Sequence, residues 1–185
     1  MIKVNLRGMD LVFETAPGLF SPGGIDAGTL AMLSAVEFGP EDKVLDLGCG
    51  YGVVGVLAAR LIGPARVTMT DIDEKALEYA ARNAALNRAE GVRLVKSDGL
   101  SGLDDAGYTL ILSNPPYHED FSVPKAFIEK GFNRLVTGGR LYMVTKREKW
   151  YRNKLAAVFG GVRVQKIDGY FVFMAEKRRA ARGKI

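Results

Sequence analysis

The stretch from Lys43 to Gly55, Lys-Val-Leu-Asp-Leu-Gly-Cys-Gly-Tyr-Gly-Val-Val-Gly, constrains the fold of this chain more than any other. Val44 to Leu47 is short and apolar, with the length and make-up of a buried strand. Glycines stand at 48, 50 and 52, and the apolar-rich run from Val53 to Ile62 reads as a helix. Strand, glycine turn and helix in that order open a nucleotide-binding βα unit. Glycines permit a tight turn and a close backbone approach, and the helix start leaves N–H groups free for a ligand. The same residues would also suit a plain tight turn built for packing, so their spacing matters. It is Gly-x-Gly-x-Gly with Gly55 three residues further on, which departs from the dinucleotide pattern. Asp46 precedes the first glycine by two residues, where a carboxylate repels a pyrophosphate and suits a cationic ligand.

A chain of 185 residues is expected to form one domain, residues 1–185, with a small N-terminal hairpin over 1–16 and a basic tail over 177–185. One Cys and one His cannot make an internal disulfide or supply a zinc cluster, so no metal is expected. No apolar run approaches the roughly 18 residues that span a membrane. The start lacks a signal-peptide core, and the expected location is the cytoplasm. The net charge of +5 is mild, but its distribution is uneven. Residues 177–185 carry five basic groups and no acid, and Lys146 to Lys154 interleaves five more with Trp150 and Tyr151. Either stretch suits a nucleic-acid backbone; a solvated helix face and a frayed tail would look the same.

Along the chain, alternation at Ile2, Val4 and Leu6, a turn at Arg7-Gly8 and the return of Leu11 to Phe13 predict the hairpin. A helix is expected over about 26–37. Strands are then expected at 44–47, 66–70, 92–95, 108–113 and 140–145, with helices at 53–62, 74–86, 124–136 and 147–159 between or after them. Two closing strands, 162–167 and 170–175, flank the turn signal Asp168-Gly169. This alternation predicts an α/β fold: a Rossmann-like, doubly wound, mostly parallel seven-stranded sheet with an antiparallel last strand, preceded by the hairpin.

In such a sheet, ligands bind beyond the carboxyl ends of the strands, and the candidate polar residues all fall there. Asp71 follows the second strand of the unit, where an acid commonly accepts from ribose hydroxyls, and Ile72 beside it would cover an adenine. An Asp there also suits the start of the next helix, for which Asp73 is the better cap. Asp98-Gly99 ends the third strand and is equally an ordinary turn dipeptide. Asn114-Pro115-Pro116-Tyr117 ends the buried strand at 108–113. The Asn114 side-chain oxygen and the Pro115 carbonyl can each accept one N–H of an exocyclic amine, favouring a tetrahedral nitrogen with its lone pair free. Pro116 offers no competing N–H, and Tyr117 can stack on a planar base.

The 43–55 stretch resembles motif I of the class I methyltransferases, and Asn114 to Tyr117 matches the Asn-Pro-Pro-Tyr motif of the amino-group methyltransferases. The resemblance extends to the enzymes that modify guanine N2 in small-subunit ribosomal RNA. Their Phe-Ser-x-x-Gly-x-Asp-x-Gly stretch is seen as Phe20 to Gly28, and their Asn-Pro-Pro-Phe/Tyr-His as Asn114 to His118. It covers about residues 17–176. It implies S-adenosylmethionine as cofactor, held by Asp46, Gly48, Gly50, Gly52, Asp71, Ile72, Asp98, Gly99 and Asn114, with Asp98 taking the adenine amino group. Phe20, Asp26 and Thr29 would line the methionine end. Asn114, Pro115 and Tyr117 would be catalytic, and Pro116, Tyr117, His118, Lys146 and Arg147 would meet an RNA substrate, with Lys149 and Trp150 beside them. His118 reads as a local turn-stabilising residue or as a base; an aryl ammonium sheds its proton without help. The family's bacterial members carry a second, degenerate domain upstream, and here only a hairpin precedes the catalytic region. Adenine N6 and the glutamine amide of release factors are the rival acceptors, though the glutamine enzymes carry a helical N-terminal domain. A cofactor- or RNA-binding module without turnover is the non-enzyme alternative. Both motifs are intact, which favours the enzyme.

Overall fold

The computed structural model describes residues 1–116 and 120–178. Strands β1 (Ile2–Leu6) and β2 (Met9–Phe13) form the N-terminal hairpin, and helix α1 (Ala27–Ala35) follows. The glycine unit supplies β3 (Val44–Leu47) and α2 (Val53–Ile62). Next come β4 (Val67–Asp71), α3 (Glu74–Leu86), β5 (Arg93–Lys96) and β6 (Tyr108–Ser113). The chain continues through α4 (Ser122–Arg134), β7 (Leu135–Thr145), α5 (Glu148–Phe159), β8 (Arg163–Ile167) and β9 (Tyr170–Glu176). The sheet order is β5-β4-β3-β6-β7-β9-β8. All pairings are parallel from β5 to β7, and β9 runs antiparallel between β7 and β8. The expected sheet is therefore the observed one, and its final strand in the chain is the antiparallel strand.

The core splits into two layers because β3 alternates. Val44 packs with α1, α2, α3 and the hairpin, whereas Leu45 and Leu47 pack with α4 and α5. Asp46 faces the first layer. Strand order reverses between β3 and β6, since β4 and β5 extend one way and β7 the other. That reversal opens a crevice at the carboxyl ends, as expected for a doubly wound sheet.

The hairpin docks through polar rather than apolar contacts alone. Asn83 on α3 and Asn87 at its C-terminal cap, one turn apart, are buried. The Asn87 carboxamide exchanges paired bonds with Val12 (2.9 and 2.7 Å), and that of Asn83 does so with Glu14 (2.7 and 2.9 Å). Each carboxamide thus mimics a strand partner for β2. A buried amide left unpaired would cost about 1–3 kcal/mol, so these bonds set the register of the docking.

Helix α4 runs over Ser122–Arg134 rather than 124–136, since Leu135 and Val136 belong to β7, and two further boundaries move. Helix α1 stops at Ala35 rather than about residue 37, because Val36 turns extended and Arg7 of the hairpin donates to the Leu33 and Val36 carbonyls. Strand β7 begins at Leu135 rather than 140. Leu135 pairs with Tyr108 and Arg140 with Leu110, so the Gly138-Gly139 segment is a bulge inside the strand and not a loop before it.

Candidate active site

The glycine loop is tied down from two sides. Gly48 and Cys49 donate their N–H groups to the Thr70 carbonyl at 2.9 and 2.8 Å, which fixes the loop to the end of β4. Gly50 donates to Asp71 Oδ2 at 2.8 Å. Gly52 caps α2 in the left-handed region, φ 96°, without a side-chain cap; of the first helical residues Val53 and Val54 line the crevice, while the Gly55 N–H is taken by Asp46. Gly55 answers to packing: a Cβ there would lie 2.2 Å from Met69 Sδ, so only glycine lets α2 sit on β4.

Asp46 is 3% exposed, and its Oδ2 accepts from Gly55 N–H at 2.8 Å. Burial pushes its carboxyl up to about 7; the Gly55 bond opposes the shift and the neighbouring Asp71 carboxylate adds to it. The same burial and the Asp46 and Asp71 charges push the Cys49 thiol well above its ordinary range. Cys49 is thus a packed thiol rather than a nucleophile. Asp71 uses Oδ2 on Gly50 and Oδ1 on the N–H of Asp73 at 3.0 Å, and Asp73 caps α3 by accepting from Lys75. The acid expected to meet a ribose therefore also shapes the loop and the turn; each carboxylate oxygen keeps a further lone pair.

A cavity of about 380 Å³ joins these groups. Its lining includes Asp46, Gly48, Gly50, Asp71, Ile72, Asp98, Gly99, Asn114, Pro115 and Pro116, and also Phe20, Asp26 and Thr29. Gly52 does not line it directly but sets the helix that does. Among the described residues, four carboxylates face the cavity and no Lys or Arg does, although the chain as a whole is net positive. The Asp98 side chain is exposed and bonds to no described residue, while Ile72 is 62% exposed at the rim. Thr70 Oγ1, fully buried among the lining residues, has no hydrogen-bond partner among the described residues. This donor set fits a ligand rich in cationic and hydroxyl groups, as S-adenosylmethionine is, and opposes a phosphate.

At the far end, Asn114 Nδ2 donates to Asp26 Oδ2 at 2.8 Å and to Thr29 Oγ1 at 3.1 Å. Its Oδ1 accepts from no described residue. Pro115 and Pro116 continue the wall. Tyr117 and His118 lie outside the described residues. Lys146 and Arg147 leave the end of β7, which pairs with β6, and are exposed without lining the cavity. Lys146 lies over the Tyr170 ring and Arg147 over the Phe121 ring, at 4.9 and 5.3 Å. Among the described residues neither forms a salt bridge, whereas Arg152 and Lys154 pair with Glu148 and Glu129. Trp150 differs from expectation: Phe121 stacks on its ring at 4.4 Å, so that face is spent joining α4 to α5. Lys177 is likewise structural, donating to the Phe132 and Leu135 carbonyls at 2.9 Å each; of the basic tail, residues 179–185 lie outside the described residues.

Residues 10–175 match the family model of the methyltransferase small domain. The chain belongs to the methyltransferase small-domain family. This methyltransferase domain is 33% identical over 179 residues to YbxB of Bacillus subtilis, an uncharacterized protein, covering 94% of this chain and 89% of that one. It is 33% identical over 180 residues to the ribosomal RNA small subunit methyltransferase C of Serratia proteamaculans, covering 94% and 51% respectively. The 16S rRNA N2 methyltransferase RsmC of T. thermophilus, solved with AdoMet and guanosine, superposes with a TM-score of 0.87 at 29% identity, covering 95% of this chain and 50% of that one. The chain thus spans about half the length of its RsmC relatives. The fold and cofactor class are those of the class I S-adenosylmethionine-dependent methyltransferases.

Three site residues of this methyltransferase domain were not singled out by sequence. Asn83 Nδ2 donates to the Tyr51 carbonyl at 2.8 Å, so the amide that docks the hairpin also holds the glycine loop. Its signal is a pair of asparagines, i and i+4, on the face that carries Ala80 and Ala84. Tyr51 is buried, its hydroxyl pushed up to about 12 by burial and the Asp26 charge, and it donates to Ser21 and Gly24 carbonyls at 3.2 Å each. Phe127 lies beneath Gly48 and Gly99, 3.9 and 3.2 Å from where their Cβ atoms would be. Nothing in the local sequence marks Phe127 off from core.

Proposed function

We propose that this domain transfers a methyl group from S-adenosylmethionine to an exocyclic amine of RNA, the guanine N2 of small-subunit ribosomal RNA. The observation that carries the reading is a cavity lined, among the described residues, by four carboxylates and no Lys or Arg, with Asn114 in the same lining and its amide nitrogen engaged by Asp26. Asp71 would take ribose hydroxyls, Asp98 the adenine amino group, Ile72 the adenine face, and Asp46 the ammonium end. Bound cofactor supplies an electrophilic methyl whose sulfur leaves with the C–S electron pair as a neutral thioether.

The domain's own part is positional. Asn114 Oδ1 and the Pro115 carbonyl accept the two N–H groups of the target amine and turn its lone pair toward the methyl. Both acceptors also stabilise the positive charge that grows on nitrogen, and the product ammonium gives one proton to water. Tyr117 would stack on the target base, and His118 would stabilise the turn or act as a base. Lys146 and Arg147, without carboxylate partners among the described residues, would meet backbone phosphates. The likeness to relatives named as ribosomal RNA small subunit methyltransferases supports RNA over a protein glutamine acceptor.

The test is to incubate the protein with trideuteromethyl-labelled cofactor and small-subunit RNA from cells lacking the modification, then analyse nucleosides by mass spectrometry. Labelled N2-methylguanosine is the expected product. Labelled N6-methyladenosine, or label in protein glutamine alone, would overturn the assignment.

A further inference from the structure

We infer that Asp26, with Thr29, is a positioning residue that sets which way the Asn114 carboxamide faces, and so makes its oxygen the acceptor for the reacting amine. The inference rests on the amine-transfer reading and adds to it a part for residues far from the motif. An ionised carboxylate can only accept hydrogen bonds. The Asn114 atom 2.8 Å from Asp26 Oδ2 must therefore be the amide nitrogen, and the chemistry itself decides an assignment that amide geometry often leaves open. Thr29 Oγ1, 3.1 Å from the same nitrogen, takes the second N–H. With both hydrogens engaged behind it, the oxygen is turned away from Asp26. A flipped amide would set its oxygen against the carboxylate and leave the target amine facing two donors, unable to bind its own N–H groups.

The partners are built to stay in place. Asp26 caps α1, its Oδ2 accepting from Thr29 N–H at 2.9 Å, so capping and orienting use one oxygen. Gly28 lets the helix start seat against β9, since a Cβ there would lie 2.9 Å from the Tyr170 ring. Tyr51 ties the loop before Asp26 through the Ser21 and Gly24 carbonyls. The carboxylate also polarises the amide it binds, which raises the acceptor strength of Oδ1 as charge develops on the amine.

The experiment compares Asp26→Ala, Asp26→Asn, Asn114→Asp and the double exchange Asp26→Asn/Asn114→Asp. Single-turnover methyl transfer is measured at saturating cofactor, with cofactor affinity by calorimetry and melting temperature alongside. Asp26→Ala should slow transfer on the order of 10-fold to 100-fold, as misorientation of one reacting-site group does. Cofactor affinity should fall far less than the rate does, because Asp26 is one of four carboxylates at the cavity and only its bond to Asn114 acts on the reacting amine. Asp26→Asn still caps α1, so it keeps the comparison valid if the alanine variant melts early. Asn114→Asp alone sets two carboxylates face to face; adding Asp26→Asn restores a donor–acceptor pair with one oxygen still free. The double variant should therefore be faster than Asn114→Asp. Wild-type transfer by Asp26→Ala, or a double variant as slow as the product of the single losses, would overturn the inference. A wild-type protein that methylates no amine would instead sink the functional reading beneath it.

Discussion

The two halves of the cavity are held by different means. At one end, the loop from Gly48 to Gly52 is pinned through its backbone: to the Thr70 carbonyl, to Asp71, and to Asn83 through the Tyr51 carbonyl. At the other end, one side chain, Asn114, is held by two others, Asp26 at the cap of α1 and Thr29 within it, 88 and 85 positions earlier in the chain. Backbone geometry tolerates few residue types, whereas side-chain geometry depends on what a distant segment brings. The first half should thus fail in cofactor affinity or stability when altered, and the second in turnover alone.

Asn114→Ala gives the largest expected effect. Transfer should fall on the order of 100-fold or more, as for one lost transition-state hydrogen bond, with cofactor affinity by calorimetry nearly constant. Asp71→Ala should do the converse, weakening cofactor binding by about 1–3 kcal/mol while saturating cofactor restores the rate. A rate that stays low at saturation would mean the two halves are coupled. Gly55→Ala should lower the unfolding free energy measured by denaturant titration by about 1–3 kcal/mol, through overpacking against Met69. The smallest effect belongs to Lys146→Ala/Arg147→Ala. RNA affinity should lose part of its salt dependence, the slope flattening by roughly 0.7 to 0.9 per phosphate contact removed. An unchanged slope would return both residues to a solvated surface.

This asymmetry also explains what was legible in the sequence. The sheet, its order reversal and the crevice followed from the short apolar run at 44–47, the glycines and the alternation after them. Asp46 was singled out by its place before the glycines, but its burial against Gly55 was not, because Gly55 looked like one more loop glycine. The β7 bulge was hidden because Gly138-Gly139 also spells a loop, and only pairing with Tyr108 reveals the strand. Trp150 looked like a base platform until Phe121, 29 positions away, took its face (150 − 121). Asp26 was assigned to the methionine end; its bond to Asn114 needs the tertiary fold. Contacts set by local backbone could be read, and contacts between distant side chains could not.

Asp46 offers a further separation of stability from binding. A carboxyl whose folded value is raised to about 7 holds its proton more tightly when folded. The stability it contributes is therefore present below the unfolded value near 4 and is lost as pH climbs through 7. Asp46→Asn should melt higher than the wild type at pH 8 in the absence of cofactor, with the difference gone near pH 4, as differential scanning calorimetry would show.

The central claim is that an acidic cavity selects a cationic cofactor, and calorimetric titration with S-adenosylmethionine from about pH 5.5 to 7.5 tests it most directly, because the ligand's α-amino group, with a pKa near 7.7–8.0, stays mostly protonated there. A bound cation favours the ionised Asp46, so binding releases a proton wherever the free carboxyl still holds one. Affinity should rise with pH by up to about tenfold per unit and flatten near 7, with measurable proton release on the rising limb. Affinity that is flat, or that falls across this window, would contradict the account.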